Sequence, residues 1–90
     1  MNSVITGGYK LVAATGNVSP IATDLLGIFV SAASATPTIT IYDSATTTTT
    51  AKVIDTFTPV AATYYSIPAS TGAGLYVVIG GTVSATVFFG

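Results

Sequence analysis

This chain of 90 residues predicts an all-β fold: a small antiparallel β-sandwich of about seven strands, jelly-roll-like. Three features predict it. Short apolar or alternating runs rich in Val, Ile, Thr, Tyr and Phe recur roughly every eight to twelve residues. Gly, Pro, Asn and Asp fall between those runs, where turns need them. No stretch has an apolar face of helical period.

The strands follow in order. Residues 9–14 form a first short candidate, bracketed by Gly7-Gly8 and Gly16-Asn17 as turn signals. Residues 25–31 are continuously apolar, as in a strand covered on both sides. In residues 38–43 Ile39 and Ile41 face one way, and Thr38, Thr40 and Tyr42 the other. Residues 52–58 and 63–67 come next, the latter closed by Pro68. Residues 75–79 and 82–89 flank Gly80-Gly81, a hairpin signal because glycine reaches positive φ without steric cost. In the last run Val83, Ala85, Val87 and Phe89 share one face, and Ser84, Thr86 and Phe88 the other. Ser19-Pro20 could open at most one helical turn, since no periodic apolar face follows. Residues 46–50, five consecutive threonines, read as a loop between the third and fourth strands. The whole chain, 1–90, is expected to be one domain, with residues 1–8 an arm that orders on a partner.

Composition narrows the function. Half of the residues are hydrophobic and 6% are charged, against about 25% in an ordinary soluble domain. The ionised side chains are Lys10, Asp24, Asp43, Lys52 and Asp55, with a net charge of −1. So little charge favours association, and a small fold without disulfide or metal staples gains stability by assembling. The start, Met1-Asn2-Ser3-Val4, has no basic and apolar segments of a secretory signal, so none is expected. Residues 75–89 are too short for a membrane helix and are broken by Gly80-Gly81, so no membrane partner is expected. Without a basic stripe, nucleic acid is not an expected partner.

The sequence has no His, Cys, Arg or Glu, which removes the usual general base, thiol nucleophile and most metal ligands. Asp24, Asp43 and Asp55 are too scattered for a calcium loop, and Asp24 and Asp43 sit at strand ends where turns favour Asp. Gly72-Ala73-Gly74 lacks the helix and lysine of a phosphate loop and reads as a turn. No catalytic, cofactor-binding or metal site is expected, and the chain is not expected to be an enzyme. Aromatic residues matter more. One member of Tyr64-Tyr65 and one of Phe88-Phe89 must face outward from a strand. The interface candidates are Phe29, Tyr64, Tyr65, Tyr76 and Phe88.

Several stretches carry a resemblance. Residues 26–31 (Leu-Gly-Ile-Phe-Val-Ser), 37–43 (Pro-Thr-Ile-Thr-Ile-Tyr-Asp) with the Thr-rich loop, 55–59, 64–68 and 74–82 resemble a recurring type of small structural protein of tailed bacteriophages. The likeness covers roughly the last two-thirds of the chain. It implies a virion component, assembled in the host cytoplasm: a head decoration (cement) protein on the capsid exterior, with the major capsid protein as partner. Analogy with decoration proteins suggests a homotrimer. The alternative is a small tail or fibre module that binds host glycans through tyrosines and threonine hydroxyls.

Overall fold

The structure is a computed structural model, and it describes residues 8–90. The expected arm therefore lies outside the described residues except for Gly8. Six strands form: β1 (Gly8–Val12), β2 (Gly16–Ser19), β3 (Asp24–Tyr42), β4 (Lys52–Phe57), β5 (Thr63–Ser70) and β6 (Leu75–Phe89). All pairings are antiparallel, and there is no helix among the described residues.

The frame is the pairing of the two long strands, β3 and β6, from Leu25↔Phe89 to Tyr42↔Tyr76. β1 and β2 run in turn along the outer edge of β6, and β4 and β5 along that of β3. The strand order is thus β1–β6–β3–β5 in one half and β2–β6–β3–β4 in the other. A flat sheet would leave both faces wet. Here Leu25, Ile28 and Val30 from the first half of β3 are fully buried, as are Ile39 and Ile41 from the second half. Together with Leu75, Val77, Val83 and Val87 of β6 they form one cluster. The sheet therefore folds over itself, and the inner faces of its halves meet in two layers.

The fold line explains where the strand count departs from the sequence reading. Residues 25–31 and 38–43 are one strand, β3, which carries Ala35 and Thr36 (φ 55° each) as an outward bulge. Opposite lies Gly80-Gly81, which bends β6 instead of turning a hairpin. Gly81 has φ 70°, and a Cβ there would stand 2.6 Å from the Thr36 carbonyl oxygen. Diglycine supplies positive φ to a bend as readily as to a turn, and only the pairing partner tells them apart. Gly16-Asn17 starts β2 instead of forming a turn. β5 runs through Pro68 to Ser70, because Pro68 lies on an edge strand where β5 carries one residue more than β3 between Ser66 and Ala69. Ser19 ends β2, and its Oγ donates to the Ile21 carbonyl at 2.8 Å in a turn. Residues 46–50 are a loop, as expected.

Candidate functional site

Among the described residues no three acidic, His or Cys side chains cluster to hold a metal ion. What the fold builds instead is a surface. Strand alternation sends Val12, Ala85, Val87, Ile28 and Val30 inward in the first layer, where all are buried. Their neighbours point out. Register aligns Tyr9 with Phe88 and Phe88 with Gly27 across β1, β6 and β3. The next row runs Leu11, Thr86, Phe29, Tyr64 across all four strands of that layer.

Directly opposed residues lie on one face of a sheet, so these two rows make a continuous patch. Tyr9 is 75% exposed, Leu11 64%, Tyr64 52% and Phe29 39%. The Tyr64 and Phe88 rings meet edge to face, centroids 6.2 Å apart, above the bare Gly27. Of the other exposed large apolar side chains, Ile21 and Val60 stand singly in connecting segments, and Leu26 lies near the start of β3.

No ionised side chain lies in these rows. Lys10 lies opposite Val87, on the inner side of the β1 edge, and its Nζ donates to the Asn17 carbonyl at 3.2 Å. Asp24 sits at the rim where β3 begins, its Oδ1 accepting from the Ser70 hydroxyl at 2.8 Å. Next to it an open depression of about 290 Å³ is lined by Leu25, Leu26, Pro68 and Ala69. Lys52 and Asp55 pair with each other on β4 at 2.8 Å.

Asp43 has a structural task. Its carboxylate accepts from the Gly72 and Ala73 amides at 2.8 Å and from Gly74 at 3.2 Å, tying the β5–β6 turn to the end of β3. Those bonds, Gly72's first, hold its carboxyl below the usual carboxylate value.

Of the five candidates drawn from the sequence, Phe29, Tyr64 and Phe88 come together on this face. Tyr65 and Tyr76 do not join them. Tyr65 is paired with Ile28, on the inner side; its ring packs edge-on against Phe57 at 5.2 Å, and its Oη accepts from the Val60 amide at 2.9 Å. Tyr76 is only 9% exposed and packs against Tyr42 in the second layer, centroids 6.1 Å apart. Tyr9 and Leu11 are the residues the sequence reading missed. Their i, i+2 spacing puts them on one face, but only the β1–β6 register makes it the face of Phe88.

No protein-family model, curated protein or solved structure matches the chain.

Proposed function

We propose that this chain is a non-enzymatic structural subunit of a virus particle, docking on the capsid exterior through the outer face of its β1–β6–β3–β5 layer. The observation that carries the reading is the uncharged patch of Tyr9, Leu11, Phe29, Tyr64 and Phe88. Contiguous exposed apolar surface on a small domain marks an interaction site, and aromatic side chains are enriched at the centres of such sites. The resemblance of residues 26–31 and 37–43 to phage structural proteins supplies the virion setting. Counting β3 and β6 as two strands each gives eight, in two four-stranded layers, and we take this as the jelly roll common among capsid domains.

Docking of this kind works by burial, at about 25 cal/mol per Å² of apolar area removed from water. With no charge in the patch, salt has little to screen. The test is cosedimentation of the purified chain with empty capsid shells of the phage that carries its gene. Saturable binding that persists from low to high salt is expected. Failure to bind shells, together with specific retention on a glycan array, would replace this reading with the tail-module alternative.

A further inference from the structure

Among the described residues four strand edges lack a neighbour: β1 and β5 in the first layer, β2 and β4 in the second. Three of them carry features that hinder pairing with another strand. β5 has Pro68 and a register shift. β4 is shifted twice against β3 and bears the exposed Lys52–Asp55 pair. β2 is four residues long and irregular, and the Asn17 side chain donates to the carbonyls of Ser44 and Thr46 in the 43–51 loop.

β1 is different. Its five residues stay in unbroken register with β6 from Gly8↔Phe89 to Val12↔Ala85, with no proline and no bulge. Its one guard is Lys10, at its centre. We propose that the β1 edge pairs with the β1 of a second copy, antiparallel, about a two-fold axis through Lys10.

Two observations favour a second copy as the occupant. First, the strand is self-complementary in this register. Gly8 meets Val12 of the partner subunit, Tyr9 meets Leu11 of the partner subunit, and the apolar cross-strand pair occurs twice on the outer face. Second, the aromatic face alone is small. Four strands about 4.8 Å apart and five residues long span roughly 320 Å², against about 800 Å² per partner in a standard interface. A two-fold pair of β1 edges joins two such faces into one eight-stranded surface, with both patches on the same side. The area argument rests on the docking reading above; the self-complementary register of β1 does not. The geometry calls for a dimer, not the trimer that analogy suggests.

Lys10 opposes Lys10 of the partner subunit in this pairing. Like charges facing each other weaken a strand pair, so Lys10 sets how tightly the edges join. Self-association then strengthens with salt, whereas docking through the uncharged face does not depend on it.

The experiment is sedimentation equilibrium of the full chain, of Lys10→Glu, and of their equimolar mixture at low salt. Each protein alone is expected to dimerise weakly, and more tightly when salt is raised. The mixture places Glu against Lys and is expected to dimerise roughly fivefold more tightly than either alone. Lys10→Thr, which removes the charge without reversing it, is expected to tighten the dimer at low salt. A mixture no tighter than its components, or a chain that stays monomeric at every salt and concentration, would overturn the proposal. Amide exchange reads the same edge: the β1 amides that point away from β6 gain protection in the dimer. A failure of face docking shows in the capsid assay instead, where Tyr64→Asp leaves the β1 edge intact.

Discussion

The Tyr64 ring lies across the backbone of Gly27. A Cβ on Gly27 would stand 2.6 Å from Tyr64 Cζ and 2.8 Å from the Tyr65 carbonyl oxygen. The glycine is thus the saddle on which Tyr64 and Phe88 meet, and it keeps the middle of the aromatic face low.

Gly27→Ala is therefore expected to destabilise the fold by about 1–3 kcal/mol, the usual cost of overpacking. Adding Tyr64→Ala recovers only part of the loss, because the Tyr65 carbonyl is backbone and stays in place. Urea unfolding of the two single variants and the double variant checks this. A neutral Gly27→Ala would contradict the packing described.

At the fold line, Gly81→Ala meets both a positive φ and the Thr36 carbonyl. A loss of about 1–3 kcal/mol is expected. Gly16→Ala, whose Cβ would be 4.0 Å from its nearest neighbour, the Ala14 carbonyl oxygen, is the control and should be near neutral. Equal effects in thermal unfolding would mean that the bend in β6 does not depend on Gly81.

How much of this was legible in the sequence differs from element to element. The Ile39/Ile41 alternation and the split of residues 83–89 into Val83, Ala85, Val87 against Thr86 and Phe88 were readable, because period-2 patterning is local. The strand count was not, since a bend at Gly80-Gly81 and a hairpin have the same local chemistry. Two of the five patch residues, Tyr9 and Leu11, were hidden for a related reason. That Phe29 and Phe88 share a face with Tyr9 depends on a register between residues some eighty positions apart. Tyr64 and Tyr65 alternate visibly, but only the partners Phe29 and Ile28 tell which of them faces outward.

Within the core, Leu25→Ala removes a fully buried side chain and should cost about 2–5 kcal/mol. Against a total stability of about 5–15 kcal/mol for a domain, that is a large share in a chain this small. Leu11→Ala, on the exposed patch, should change stability by no more than about 0.5 kcal/mol. Denaturant midpoints of the two variants separate core from face. A costly Leu11→Ala would show that β1 contributes to the core through Leu11.

Acid should act on Asp43. Its folded carboxyl is held below the ordinary 3.8, so its contribution is fully present above that value and is lost as pH falls through the lowered one. Asp55 has the same sign, its carboxyl lowered chiefly by the hydrogen bond from Lys52. The Lys52 ammonium is raised above 10.5 by Asp55, and its contribution disappears as pH climbs through that raised value. The melting temperature should be flat near neutrality and fall below about pH 4, and Asp43→Asn should lower it at neutral pH and flatten the acid limb. An unchanged acid limb in Asp43→Asn, measured by calorimetry, would remove Asp43 from this account.

In the proposed function, the outer face of the β1–β6–β3–β5 layer holds the chain to a larger particle. The capsid-shell assay tests this most directly when run on Tyr64→Asp beside Thr49→Asp, an exposed position in the loop between β3 and β4. Both variants should remain folded. Loss of shell binding by Tyr64→Asp with full retention by Thr49→Asp is the predicted result. Equal binding by the two variants would contradict the account and move the docking surface off this face.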